Sequence, residues 1–392
     1  MTEELAISLG GTRLFQAQDP PSITSLEALC SRTTKPEEYP LASTIQDNIP
    51  IYKLPPFTTT TPSYRAALQD EWYRILLHGP GVLVIKSLFT DVKLINRVTT
   101  VFNTIISREA SSHRGDHFSN TSPNARIWNA LGKHALSDPP SFISYYSNPY
   151  LSLVAESWLG PCYRLTAQVN NVRPGSEAQV CHRDYHLGFM TDTQCAQYPR
   201  ATHLASQFLT LQGAVAHVDM PAASGPTRLL PYSQILAAGY LAYRLRPFID
   251  FFDDHHVALP LNQGDGLFFN PALMHAAGQN NSPTDRLANL LQISSPLGKP
   301  MEAVDAIPLV DTCWELLLKH YGEGKHHEVR AVVAAMAEGY PFPTNLDRNA
   351  PRGGSSMAPE SEREVLWACL GEGSEKELVL ERLRDLRRAS RA

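Results

Sequence analysis

Between residues 161 and 299 the chain is cut into short β-type runs: "CYRLTAQVNNV", "AQVCHRDYHLGF", "SQFLTLQGAVAHVDM", "PTRLLPYS", "HVALPLNQGDGLFFN" and "LANLLQISS". Most are bounded by Gly, Pro, Asn or Asp, residues that turn a chain rather than extend it. Several short strands with turn signals between them predict a sandwich or jelly roll. A helical piece, "QILAAGYLAYRLRPFIDFF", interrupts the series. Upstream, residues 62–78 read as a helix with Pro near its start, and "GVLVIKSLF" as a buried strand. "DVKLINRVTTVFNTIIS" reads as a helix capped by Asp91, and a further helix is expected over roughly 144–159.

The expected fold is α+β: a double-stranded β-helix (jelly roll, cupin-like) core with flanking helices. Residues 1–61, rich in Pro and Thr, are expected as an extended arm. Residues 62–322 are expected to form the catalytic domain, and 323–392 a C-terminal helical extension with a lid-like loop. That extension is read as ending in one charged helix over roughly 360–389. The chain of 392 residues carries a net charge of −5 and no long basic block before its last dozen residues. Neither a nucleic-acid face nor attraction to anionic membranes is indicated. No run approaches the roughly 18 apolar residues of a membrane span. The six cysteines lack C-x-x-C spacing, which argues against a disulfide framework or zinc knuckle. A soluble, cytoplasmic protein without a secretory signal is the expectation.

Chemistry concentrates in "AQVCHRDYHLGF". On a strand, alternate residues share a face, so His182 and Asp184 point together, with His186 also on that side. These are two parts of a 2-His-1-carboxylate site, which binds ferrous iron by one face and leaves positions open. "GDGLFFNPALMHAAGQNNSPTDR" supplies His275 after a tight turn into a strand, and eleven residues later Arg286, whose guanidinium suits a dicarboxylate's far end. A zinc site using His182 and His186 at i,i+4 would instead need a helix. Cys181 reads as a buried hydrophobe. The cluster "FFDDHH" (251–256) reads as a solvated loop, and "KHHE" near 326 as a helix start.

The ordered set H-x-D, a distant His, and Arg eleven on resembles the phytanoyl-CoA dioxygenase family of Fe(II)- and 2-oxoglutarate-dependent oxygenases. The resemblance covers roughly 66–295 and includes "RPGSEAQVCHRD" and "SGPTRLLPYSQ", in the manner of the family's microbial natural-product branch. It implies that His182, Asp184 and His275 ligate iron, and that Arg286 binds the distal carboxylate of 2-oxoglutarate. Gln179 and Thr227 match positions that contact this co-substrate, with O2 as the oxidant. Where some relatives place a hydroxyl residue two after the distal His, this chain has Ala277. The presence of Asp184 favours oxygenation or desaturation over halogenation.

The resemblance implies a small-molecule substrate, oxidised at an unactivated C–H by hydroxylation, desaturation or cyclisation. Arg126, Trp128, His186 and Phe342 are candidate substrate contacts, with Tyr340 and Phe342 in the lid-like loop. Arg126 favours an amino-acid or peptide-derived intermediate. A homodimer is compatible with the family. A zinc hydrolase on a β-barrel and a catalytically silent 2-oxoglutarate-binding protein are the competing readings.

Overall fold

The structure is a computed structural model that describes residues 12–15, 20–109, 124–351 and 357–391. Its strands are β1 (Thr44–Gln46), β2 (Ile49–Lys53), β3 (Val82–Lys86), β4 (Ala125–Ile127), β5 (Arg164–Val172), β6 (Thr210–Ala216), β7 (Arg228–Leu229), β8 (Gly266–Phe269), β9 (His275–Ala276) and β10 (Arg286–Ser294). Eight of them form one sheet in the order β1-β2-β3-β8-β6-β10-β5-β4, and β7 pairs with β9 in a second. The main sheet is antiparallel apart from the β2–β3 pair. Isolated bridges His182↔His275 and Leu229↔Val257 widen the second sheet on both sides. Two sheets of this kind, with helices outside, make the expected double-stranded β-helix.

Alternation on the three central strands builds both the core and the cavity. Leu165, Ala167 and Val169 on β5, Leu211 and Val215 on β6, and Leu287, Leu291 and Ile293 on β10 pack outward into the large core. That core also takes Trp72, Phe102, Trp314, Leu366 and Leu383 from helices that cover this face. Each such side chain contributes roughly 1.5–3 kcal/mol by leaving water. Shortening fully buried Leu291 to Ala should cost about 2–5 kcal/mol. The residues between them in sequence face inward: Gln168, Asn170 and Val172, then Gln212, Ala214 and Ala216, then Arg286, Ala288, Leu290 and Gln292. A smaller apolar cluster that includes Val82, Val84, Leu229, Leu261 and Phe269 fills part of the space between the sheets.

Local sequence explains the helix ends. Pro62–Leu77 has Pro in its first turn, and Thr61 Oγ1 accepts from Tyr64 N at 3.1 Å. Asp91 accepts from Lys93 N at 2.9 Å, as its position before the helix Val92–Glu109 predicts.

Several expectations need correcting. Residues 44–53, read as part of an extended arm, supply β1 and β2, and β2 hydrogen-bonds to β3 through a parallel register that sets Ile51 beside Val84. The helix expected over 144–159 is two, Pro139–Tyr146 and Pro149–Leu159, because Pro149 lacks the N–H needed to continue the first. The single C-terminal helix is also two, Glu362–Glu372 and Lys376–Ser390, separated by Gly373 at φ 66. "FFDDHH" lies mostly within the helix Arg246–His255, with Asp253 paired to Arg228 at 3.0 Å. The helix His326–Met336 starts within "KHHE", and Cys181 is buried, both as expected.

Candidate active site

His182 and His275 are brought together by backbone pairing. His182 N donates to His275 O at 2.9 Å and His275 N to His182 O at 3.0 Å, so the two residues sit directly opposite on antiparallel segments. Asp184 N donates to Pro271 O at 3.0 Å, which holds the carboxylate beside both rings. His182 Nε2 lies 3.7 Å from Asp184 Oδ1, and His275 Nε2 lies 3.5 Å from Asp184 Oδ2. One ligand atom from each residue falls within 4.8 Å of the others, the only such group of three among the described residues.

The donor set fits a metal ion. His182 Nδ1 is 2.9 Å from Val180 O, and His275 Nδ1 is 2.8 Å from Leu273 O. Carbonyls accept only, so each Nδ1 carries the proton and each Nε2 presents its lone pair toward Asp184. Burial lowers the His182 pKa and so favours its neutral form, against the opposing pull of Asp184. For Asp184, burial acts upward, but the neighbouring His182 and His275 and a hydrogen bond from Gln212 outweigh it and hold the carboxyl below the usual carboxylate range. Neutral imidazoles and an ionised carboxylate are the ligating forms. Gln212 Nε2 donates to Asp184 Oδ2 at 2.5 Å, fixing the carboxylate plane.

The segment expected as one strand from 178 to 189 pairs only at His182. Tyr185 and His186 have φ of 67° and 41°, and the chain enters a short 3-10 turn, His186–Phe189. The turn carries His186 off the ligand face: its Nδ1 lies 3.4 Å from Ser206 Oγ, and its ring rests against Gly298. His186 is therefore not among the residues lining the cavity, which corrects its reading as a substrate contact and removes the i,i+4 zinc pair.

Arg286 opens β10 and is 7 % exposed. Its Nη1 donates to Ser224 O at 3.0 Å and Gly278 O at 3.3 Å, and it makes no ion pair among the described residues. Burial pushes its pKa down to about 10. A buried guanidinium with carbonyls but no carboxylate is a ready anion site. The two carbonyls are delivered by backbones in contact: a Cβ on Gly225, at φ +68, would fall 2.1 Å from Gln279 O, and one on Gly278 2.8 Å from Gly225 O.

The ligand cluster and Arg286 line one cavity of about 570 Å³ between the sheets, inside the range typical of small-molecule sites. Gln179, Thr227, Ala277, Arg126 and Trp128 line it too. Gln179 Oε1 accepts from Ala277 N at 3.1 Å, which orients its amide. Arg126 Nη1 donates to Gln168 Oε1 at 3.2 Å, and its guanidinium lies 5.3 Å from the Trp128 ring centroid. Phe342 does not reach the cavity: it is 38 % exposed and packs on Tyr340 at 5.5 Å, which corrects its reading as a substrate contact. Part of the polar loop 113–134, residues 113–123, lies outside the described residues.

Sequence reading missed Gln168, Asn170, Gln212 and Gln292, all in the cavity wall. The available signal was period-two spacing on three strands, with carboxamides at positions where a purely apolar interior would place Val or Leu.

A family model described as phytanoyl-CoA dioxygenase matches residues 67–288, more than half of the chain. No curated protein matches. Among solved structures, the non-heme alpha-ketoglutarate-dependent epimerase SnoN from nogalamycin biosynthesis matches with 17 % identity over 59 % of this chain and 82 % of its own, at a TM-score of 0.44. The carbocyclase SnoK from the same biosynthesis matches with 19 % identity over 59 % and 85 %, at 0.44. EvdMO1 matches with 17 % identity over 58 % and 50 %, at 0.41. Among the described residues no helix is long and apolar enough to cross a membrane.

Proposed function

Because this chain belongs to the phytanoyl-CoA dioxygenase family, we propose that it oxidises an unactivated C–H bond of a small organic molecule in specialised metabolism. It is an enzyme of the Fe(II)/2-oxoglutarate dioxygenase type, and its cofactor and co-substrates are Fe(II), 2-oxoglutarate and O2. In the hydroxylating outcome these supply the oxidising power, and the overall change is R–H + 2-oxoglutarate + O2 to R–OH + succinate + CO2. The observation that carries the reading is the opening of the His182–Asp184–His275 cluster and the buried guanidinium of Arg286, which has no ion pair among the described residues, onto one cavity.

The chain's own residues bind, orient and exclude. His182, Asp184 and His275 would hold the metal from one side and leave the cavity side open. Arg286 would grip the distal carboxylate of 2-oxoglutarate, with Gln179 and Thr227 beside it. Gln212 fixes Asp184, and the two backbone carbonyls that accept from Nδ1 fix the imidazoles. The apolar wall of Val172, Ala216 and Ala288 keeps water from the space between the ligands and Arg286. Arg126 and Trp128 in the same wall support an amino-acid or peptide-derived substrate.

The test is succinate release from the Fe(II)-loaded enzyme in air, with a panel of amino acids and short peptides. At least one panel member should raise release above the uncoupled rate, and Arg126→Ala should weaken that effect. Stimulation that survives Asp184→Ala contradicts the metal assignment. Stimulation indifferent to Arg126→Ala contradicts the substrate class.

A further inference from the structure

We infer that the substrate carries a hydroxyl or N–H donor beside the carbon that is oxidised, and that Gln212 Oε1, held next to Asp184, is the acceptor that selects it. The inference rests on the oxygenase reading above and narrows its substrate.

The inner face of the main sheet changes character along its strands. On β10 the cavity-facing residues run from Arg286 to Gln292, a span of about 20 Å at roughly 3.3 Å per residue. The register sets Val172 opposite Arg286, Asn170 and Ala216 opposite Ala288, Gln168 and Ala214 opposite Leu290, and Gln212 opposite Gln292. The Arg286 end is thus a buried cation among small apolar groups, which suits a dicarboxylate with a methylene spine. The other end is rich in carboxamides, and Arg126 stands opposite Asn170 on β4. The co-substrate would reach from Arg286 toward the metal ligands, and the space beside Gln212 is left for the substrate.

The donors and acceptors at the carboxamide-rich end specify the group it takes. Gln212 Nε2 donates to Asp184, and an ionised carboxylate only accepts, so the orientation of this amide is fixed. Its Oε1 is therefore an acceptor, and it is buried without a partner among the described residues. By contrast Gln292 Oε1 accepts from Tyr185 O–H at 2.6 Å, and Gln168 Oε1 accepts from Arg126 at 3.2 Å. 2-Oxoglutarate offers only keto and carboxylate oxygens under neutral conditions, so it does not satisfy this acceptor. Water does so while the site is open. A substrate that expels that water must bring its own donor or leave the acceptor stranded. A hydroxyl, amine or amide N–H meets the need; a hydrocarbon or fully methylated surface does not.

The test uses the anaerobic enzyme loaded with Fe(II) and 2-oxoglutarate, whose visible chelate absorption responds when a molecule binds beside the metal. Matched pairs are titrated: cyclic alcohols and amines against their O- and N-methyl derivatives. The free alcohol or amine should bind at least about tenfold more tightly than its methylated partner. Gln212→Met, assayed with Fe(II) raised until the chelate absorption is restored, should erase much of that preference, and Gln212→Glu, which as the neutral acid keeps both a donor to Asp184 and an acceptor, should restore it. Equal binding of methylated partners, or no response to any alcohol or amine while the chelate absorption is present, overturns the inference and leaves the oxygenase reading standing. Absence of the chelate absorption in wild type overturns that reading itself, and the inference with it.

Discussion

Replacing Arg286 with methionine separates a binding residue from a structural one. Burial lowers the Arg286 pKa from its ordinary 12.5 to about 10, which at about 1.4 kcal/mol per pKa unit is roughly 3 kcal/mol of opposition to the charge. Nothing anionic among the described residues offsets it; a dicarboxylate would. Loss of that pairing should weaken 2-oxoglutarate binding by about 100-fold, since about 1.4 kcal/mol is a factor of ten. The ligand-free protein should behave in the opposite sense. It sheds the opposed charge but leaves Ser224 O and Gly278 O without their donor, at about 1–3 kcal/mol each, so the two effects largely cancel and its net stability should fall by no more than about 3 kcal/mol. Had Arg286 served a buried structural ion pair, removing it would cost about 3–5 kcal/mol. The assay pairs urea unfolding of the ligand-free protein with anaerobic titration by 2-oxoglutarate and by 2-oxobutyrate, which lacks the distal carboxylate. Wild type should strongly prefer 2-oxoglutarate, and the variant should bind the two nearly alike. Unchanged 2-oxoglutarate affinity, or a loss of several kcal/mol in stability, refutes the reasoning.

Other consequences follow from neighbouring features. Gln212→Leu removes the donor that fixes Asp184, and Fe(II) affinity measured by anaerobic titration should fall by about 10–100-fold; an unchanged affinity would show that the carboxylate needs no such support. Gly225→Val adds a side chain at φ +68 against Gln279 O, so 2-oxoglutarate binding should weaken while Fe(II) binding holds; weakening of both would point to general misfolding. His134 and His217 are buried, and burial lowers their pKa values to about 4 and about 3. Both remain neutral in the folded protein while the unfolded chain takes up protons below about 6.5, so stability is lost as pH falls from there toward 4. At pH 5 each should have withdrawn about 2 kcal/mol relative to pH 7, and equal unfolding free energies at the two pH values would contradict this.

The ligand set was legible because its spacing is dictated by geometry: two residues apart on an extended segment, then a partner on the opposing strand. His182, Asp184 and His275 met although the segment pairs only at His182, since the backbone stays extended as far as Asp184 and turns at Tyr185, where φ is 67°. Extending the same period to His186 failed for that reason. Nothing in "DYHLGF" announces a positive φ at two non-glycine residues. Arg286 was legible as a cation eleven residues past His275, but its solitude was not, because the missing counter-ion is a property of burial. Gln212 escaped notice because a lone carboxamide on a strand is ordinary until a carboxylate is placed beside it. The pairing of Ile49–Lys53 with β3 was hidden by Pro50 and by the 28 residues between the two strands. Phe342, in the loop read as a lid, packs on Tyr340.

The most direct test of the central claim is the visible absorption of the anaerobic protein mixed with Fe(II) and 2-oxoglutarate, for wild type, His182→Ala, Asp184→Ala and His275→Ala. The account predicts a charge-transfer band in wild type, diminished or lost in each variant with the metal content of each sample measured in parallel. No band in wild type, together with zinc retained at His182 and His275, would contradict it.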